Sequence, residues 1–318
     1  MYLQDIPSIQ DIISAETRIR SHVHRTPVFS STKLNEIAGC RMFFKTENLQ
    51  RGGSFKIRGA MNSVTIASKS WIKDGVTTHS SGNHAQAIAI AAKTMKIPAY
   101  IVMPHNSPKV KVDAVRSYGA KIIFCEPTQE AREATLEQVQ KETKAYFIPP
   151  YDSYDVIAGQ ATMMKELIED TDHLEVMIAP IGGGGLASGT LLATDYFAKN
   201  IVVYGAEPKE ADDAYRSLLS GEIEAVNNVN TIADGLRTSL GKLTFPIIKD
   251  KVKEIILVSE QDIIESMKLI YQYLKLVVEP SAAVPLAAVL NKKGQLKDKK
   301  VGLVLCGGNV DLEKLPFH

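Results

Sequence analysis

Cysteine pairs, long apolar runs and a charge excess are all missing from this chain. Its three cysteines, Cys40, Cys125 and Cys306, are widely separated and form no CxxC. A disulfide framework or a thiolate zinc site is therefore not expected. No stretch approaches the roughly 20 consecutive apolar residues of a membrane helix. Acidic residues interrupt the opening MYLQDIPSIQDIISAETRIR, where a signal peptide needs an unbroken apolar core. Lys and Arg number 37 against 36 Asp and Glu, a net charge of +1, and no dense basic stripe offers a surface to nucleic acid. Neither a Walker A loop nor GxGxxG occurs, which leaves a nicotinamide-dependent oxidoreductase a remote option. Apolar residues at 45% and charged residues at 23% are ordinary for a globular protein. At 318 residues, a prior of about one domain per 150 residues gives two domains. A cytoplasmic protein without membrane or nucleic-acid partners is expected.

What is present is alternation. Short apolar runs bounded by turn residues precede helix-length segments. RMFFKTE reads as a strand and SFKIRGAMNSVTIASKS as a helix capped by Ser54. GVTTHSSG leads into the alanine-rich NHAQAIAIAAKTM, and PAYIVMP into SPKVKVDAVRSYG, where Ser107 and Pro108 make a helix start. AKIIFCEP, AYFIPP and EVMIAPIGGGG are strands of the same kind, each followed by a helical segment. IVVYGAEP, EIILVS and KVGLVLCGG complete the set. This pattern gives an α/β fold with open, twisted parallel sheets covered on both faces. Glycine clusters fall at the carboxyl ends of strands, where such sheets bind ligands.

Two features carry chemistry. APIGGGGLASG, residues 179–189, follows an apolar strand and opens a helix. Consecutive glycines let backbone N–H groups converge on an anion, and the helix start adds roughly half a positive charge. That is a phosphate cradle, with a tight turn as the plainer alternative. The second feature is Lys56 in GGSFKIRGA, set between Phe55 and Ile57. Alone it reads as a snorkelling surface lysine. Apolar neighbours, however, disfavour its charged form and release a nucleophilic amine. Cradle and amine together suit pyridoxal phosphate (PLP): one anchors the tail, the other forms the imine, and Phe55 walls the ring.

SFKIRGA, SSGNHAQA, GGGGLASG, EPSAAV and CGGNVD occur in an order that resembles the fold-type II PLP enzymes. Within them the match is to the serine racemase and serine/threonine dehydratase family, and it spans nearly the whole chain. The resemblance implies a tryptophan synthase β-like architecture, with a large PLP-binding domain from residues 1–75 and 150–318 and a small mobile domain from 76–149. By position in the motifs, Lys56 is the Schiff-base lysine, Phe55 packs on the ring, and Asn83 bonds the 3′-hydroxyl. Ser80, Ser81, Asn83 and His84 are implied to hold the substrate carboxylate. Gly182, Gly183, Gly184, Gly185 and Leu186 are implied to bind phosphate through their amides, and Gly235 to border the ring. Cys306 matches the residue facing the pyridine nitrogen, where a thiol protonates the nitrogen poorly. A buried core cysteine is its plainer reading.

The implied reaction is that of a dehydratase, or ammonia-lyase. Lys56 removes the α-proton of L-serine or L-threonine, the β-hydroxyl leaves, and a 2-keto acid and ammonia result. Biosynthetic-type threonine dehydratases tend to read SAGNHAQ, whereas SSGNHAQ here resembles serine racemases. Racemisation needs an acid/base on each face of the carbanion, and Ser81 is the implied partner of Lys56. Glu207, the carbonyl of Ala211 and Asp213 in AEPKEADDA match the family's divalent-cation loop; oxygen ligands suit Mg²⁺, Mn²⁺ or Ca²⁺. Ser30, Ser31, Tyr118, Lys275 and Asn309 match a nucleotide effector site in type. Arg51 and Gly52 replace its usual Lys-Thr pair, which leaves ATP activation open. A homodimer is the family's habit, and with no regulatory extension after CGGNVDLEKLPFH, feedback of the isoleucine-pathway kind is not expected.

Three alternatives stand beside this reading. A 3-hydroxyaspartate dehydratase shares these motifs, and Arg132 is a candidate for its second carboxylate. Cysteine synthase-like relatives usually carry threonine where His84 stands. A non-catalytic PLP- or nucleotide-binding sensor would need neither Lys56 nor Ser81.

Overall fold

The computed structural model describes residues 2–69, 73–107, 109–226 and 229–317. Its strands are β1 (Val28–Phe29), β2 (Arg41–Lys45), β3 (Val76–His79), β4 (Ala99–Pro104) and β5 (Lys121–Cys125). The remaining five are β6 (Tyr146–Phe147), β7 (Val176–Pro180), β8 (Val202–Pro208), β9 (Ile255–Val258) and β10 (Lys300–Val304). They form a six-stranded sheet in the order β1-β2-β10-β7-β8-β9 and a four-stranded sheet in the order β5-β4-β3-β6. Neighbours run parallel except β1 on β2, which is antiparallel. That two-residue edge is too short to show any alternation, and the sequence pattern does not reveal it.

Helices fill the connections: α1 (Ile9–Ile19), α2 (Thr32–Ala38), α3 (Lys56–Lys69), α4 (Asn83–Met95), α5 (Lys109–Ser117) and α6 (Gln129–Thr143). Then come α7 (Tyr154–Asp170), α8 (Gly185–Phe197), α9 (Asp213–Ser220), α10 (Thr244–Lys251), α11 (Glu260–Tyr273) and α12 (Pro280–Asn291). Ser8 and Ser259 start α1 and α11 with full capping boxes. Ser54 does not cap α3 as its sequence suggests. It pairs in an antiparallel bridge with Gly307, so the chain enters α3 through Phe55. Ser107 turns its hydroxyl back onto the Pro104 carbonyl at 2.7 Å; Pro108 lies outside the described residues. No helix among the described residues is long and apolar enough to cross a membrane.

The order of the strands fixes where ligands go. In the larger sheet the chain steps outward through β7, β8 and β9, then returns with β10 on the other side of β7. In the smaller sheet it steps through β3, β4 and β5, then returns with β6 on the other side of β3. Each reversal is a topological switch point with a crevice at the strands' carboxyl ends. The turns leaving β7, β10, β3 and β6 therefore face open space.

One core cluster covers the larger sheet. A second, around the smaller sheet, recruits Ile57, Ala60, Met61 and Val64 from α3 together with Val156 from α7. Those two helices touch backbone to backbone: a Cβ on Gly159 would fall 2.6 Å from the Gly59 Cα. Arg58, fully buried, locks the start of α3. Its guanidinium donates to Glu47 at 2.8 Å and to Glu166 at 2.7 Å, and Lys45 reaches Glu166 at 2.8 Å.

Candidate active site

A cavity of about 520 Å³ opens where the two switch points meet. That volume lies within the range of small-molecule sites. Its larger-sheet wall comes from the turns after β7 and β10, namely Gly182 to Leu186 and Cys306. The smaller-sheet wall is the turn after β3, with Ser80, Ser81, Asn83 and His84. Phe55, Lys56, Arg132 and Gly235 complete the set expected around cofactor and substrate, and all of them line this one cavity.

Lys56 sits at the start of α3, and its Nζ donates to the Pro150 carbonyl at 2.8 Å, 5.1 Å from the centre of the Phe55 ring. The Phe55 amide in turn donates to the Cys306 carbonyl at 3.0 Å, tying the lysine to the end of β10. Burial pulls the Lys56 amine down to about 8, against the opposing pull of Cys306 and Glu279. The Cys306 thiol, buried beside Glu279, is pushed well up and stays protonated.

At the opposite end α8 begins on the glycine run. Among the described residues nothing accepts the amides of Gly182, Gly183 or Gly184, so they are free for an anion at the helix N-terminus. Packing explains the absent side chains as well. A Cβ on Gly183 would lie 2.3 Å from the Tyr151 ring, and Gly184 takes φ +88° beside Thr244. Thr244 Oγ1 donates to the Gly183 carbonyl at 2.8 Å and holds the loop in shape. A half-buried amine with no acid partner among the described residues and a cradle of free amides fit a phosphorylated aldehyde such as PLP.

The Ser80–His84 loop is braced from behind. His84 is buried, and its Nε2 donates to the Ile148 carbonyl at 3.1 Å, which leaves Nδ1 the acceptor. Burial and Lys56 lower its pKa to about 3, so the ring is neutral. Asn83 Nδ2 donates to both oxygens of Glu279 at 2.9 and 3.0 Å, while its Oδ1 accepts from Asn309 at 2.9 Å. Glu279 is buried, and burial, then Asp234, raises its pKa to about 7. Gly235 donates its amide to Ser281 Oγ at 3.0 Å. Arg132 reaches the cavity from α6 with its Nε buried and without a hydrogen-bond partner.

Glu207 and Asp213 are both fully buried, at the end of β8 and the start of α9. Glu207 accepts the amides of Ala214 at 3.0 Å and Tyr215 at 2.9 Å. Among the described residues neither Asp213 oxygen has a hydrogen-bond partner, although its own amide and that of Leu240 lie close enough to pull on its charge. Burial, then Asp213, pushes Glu207 up to about 9; burial pushes Asp213 up to about 7. Two buried acids, of which Asp213 lacks donors among the described residues, fit a hard cation held by oxygen.

Each nucleotide candidate is held by contacts of its own. Ser31 caps α2, Ser30 accepts from Asn35 at 3.4 Å, and Tyr118 lies under the Lys93 ammonium at 6.0 Å. Lys275 follows α11 with φ 60°, and Asn309 is engaged by Asn83 and by the Gly52 carbonyl at 2.8 Å. None of the five lines the cavity. Gly52 has φ +74°, and a Cβ there would fall 2.6 Å from Ile90 Cδ1, so a threonine does not fit as the chain stands.

Sequence reasoning missed Lys111, Tyr151, Asp234 and Glu279, which all line the cavity. Glu279 had a signal: it is the one acid in VVEPSAAV. Lys111, in the amphipathic segment KVKVDAVRS, had none.

Lys56, the unengaged glycine amides and the Ser80–His84 loop meet around paired switch points. The family described as pyridoxal-phosphate dependent enzymes matches residues 19–307, and this chain belongs to it. It is 47% identical over 313 residues to the beta-hydroxyaspartate dehydratase of Paracoccus denitrificans (strain Pd 1222), covering 98% of this chain and 99% of that one. It is 46% identical over 314 residues to the serine racemase of Dictyostelium discoideum, covering 97% and 96%. The structure of maize serine racemase superposes with a TM-score of 0.95 at 44% identity, covering 97% of this chain and 95% of that one.

Proposed function

We propose that this chain eliminates water from L-serine and L-threonine to give 2-keto acids and ammonia, and also racemises serine. The observation that supports this most is Lys56 and Ser81 on one cavity, with the amine's pKa near its working range at about 8. Bound PLP supplies an electron sink that acidifies the α-proton. The substrate carboxylate docks on the Ser80–His84 loop at the N-terminus of α4, where the helix start favours an anion. Asn83, fixed by Glu279 and Asn309, is assigned to the cofactor's 3′-oxygen. Lys56 takes the α-proton on one face. Ser81 is assigned to the other face, where its hydroxyl returns a proton with inverted configuration. Cys306 would face the pyridine nitrogen of the bound cofactor, where a neutral thiol would protonate it poorly and so favour loss of the β-hydroxyl. A divalent cation at Glu207, Ala211 and Asp213 and a homodimer belong to the same reading. ATP activation has the least support in this reading, since a threonine does not fit at Gly52.

A second substrate is favoured by one observation. The unpartnered Arg132 Nε in the cavity suits the extra carboxylate of 3-hydroxyaspartate, the substrate class named for the Paracoccus relative.

Chiral product analysis with L-serine, L-threonine and both 3-hydroxyaspartate diastereomers, with and without Mg²⁺ and ATP, tests both readings. Keto acid together with D-serine from L-serine is expected. No keto acid from any of the four would overturn the proposal. Arg132→Ala should lower hydroxyaspartate turnover more than serine turnover; equal losses would remove Arg132 from the second reading.

A further inference from the structure

We propose that Lys111 is a positioning residue for carboxylate substrates: held over the Ser80–His84 loop by Asp234, its ammonium offsets the acids that flank that loop. The inference rests on the reading of this cavity as an amino-acid site.

Lys111 extends from α5, on the smaller sheet, and donates from Nζ to Asp234 Oδ2 at 2.5 Å. Asp234 opens the single helical turn Asp234–Leu236, on the larger-sheet side. The ion pair therefore crosses the cavity from one wall to the other. Lys111 is only 8% exposed, whereas the Asp234 side chain is 41% exposed. The ammonium also rests against the loop itself, since a Cβ on Gly82 would lie 3.5 Å from Nζ.

The need for this charge comes from its surroundings. Glu279 is buried with both oxygens on the Asn83 amide, and it feels Asp234 as a repelling charge and Lys111 as an attracting one. An amino-acid substrate brings another carboxylate to the same loop. Without Lys111, Asp234 and Glu279 would oppose its entry at the loop, leaving compensation to Lys56, Arg132 and Arg237 elsewhere on the cavity wall. Lys111 makes the site tolerant of an anion without touching the reacting atoms. Its removal should appear in KM, not in kcat.

A charge cycle in the PLP-loaded enzyme tests this. Lys111→Met should raise KM for serine and threonine alike by about tenfold or more, with kcat within about threefold. Lys111→Arg should keep most of the wild-type KM. Asp234→Asn added to Lys111→Met should recover most of the lost KM, because the acid that needed offsetting is gone. If the double variant is as poor as Lys111→Met, the ammonium binds substrate directly and charge compensation is wrong. If Lys111→Met lowers kcat and leaves KM unchanged, or alters neither, the proposal fails entirely. Should Lys111→Met not fold, the Asp234→Asn single variant decides: its KM should be no higher than wild type, and a rise of about tenfold refutes the idea. A failed PLP assignment would look different, as the wild-type protein would then show neither imine absorbance nor turnover.

Discussion

Behind α3 and beneath the glycine loop the molecule buries carboxylates in two contrasting ways. Behind α3, burial pushes Glu47 up, but Arg58 more than offsets it and holds the carboxyl below its ordinary range. Arg58 meets Glu166 as well, and Lys45 adds a second cation. Every charge there has a partner supplied by the chain. Beneath the glycine loop, Glu207 and Asp213 have each other and a few amides, and both are pushed up. Residue type and burial are the same; the partner differs. A buried charge answered from within the chain is part of the frame. One left unanswered is poised for something the chain does not contain. Lys56 is the cationic example, half-buried and, among the described residues, bonded to a carbonyl alone.

That contrast predicts separable losses. Lys56→Ala should reduce elimination and racemisation by at least about a thousandfold without lowering the melting temperature, since no acid is stranded. Borohydride trapping of bound PLP should label Lys56 in the wild type and nothing in the variant. Arg58→Met should do the reverse to stability. It leaves Glu47 and Glu166 short of a partner at full burial, which costs about 3–5 kcal/mol, read by denaturant unfolding of the cofactor-free protein. A loss below about 1 kcal/mol would mean that the paired region is not the frame it is taken for.

The same contrast explains what was legible in the sequence. Strand runs such as EVMIAP and KVGLVL announce themselves because parallel strands buried on both faces are continuously apolar. The glycine run and Lys56 were legible because each breaks a local rule, whether by absent side chains or by a cation among apolar neighbours. Lys111 and Tyr151 break none. Their roles arise only when α5 and the turn after β6 meet the glycine loop and Asp234, contacts between residues far apart in the chain. Arg58 shows the converse: beside Lys56 in SFKIRGA it carried no assigned role, yet it is among the largest fully buried side chains.

Smaller effects sharpen the unpaired side of the comparison. In cofactor-free protein, PLP capture should quicken by about tenfold per pH unit below pH 8 and level off above it, because Lys56 is depressed to about 8. The sign follows from burial disfavouring the protonated amine, which has no lone pair to attack with. A rate that kept climbing to about pH 10 would indicate an ordinary lysine. Ser81→Ala should lower the ratio of D-serine formation to L-serine breakdown by about tenfold. Parallel losses of both activities would refute the two-base assignment.

The smallest expected effect is on stability, at the acid pair itself. If Glu207 and Asp213 await a cation, then Mg²⁺, Mn²⁺ or Ca²⁺ binds the folded chain and stabilises it by mass action. Chelation should lower the melting temperature by about 2 °C or more, the shift expected for roughly 1 kcal/mol in a protein of this size. A Glu207→Gln, Asp213→Asn double variant should abolish that response. It should also melt no lower than the chelated wild type, because two neutral amides no longer repel each other across a buried gap. If instead the double variant loses several kcal/mol, as Arg58→Met is expected to, the two acids are structural partners like Glu47 and Glu166. The distinction between answered and unanswered carboxylates would then fail at the place where it is drawn most sharply.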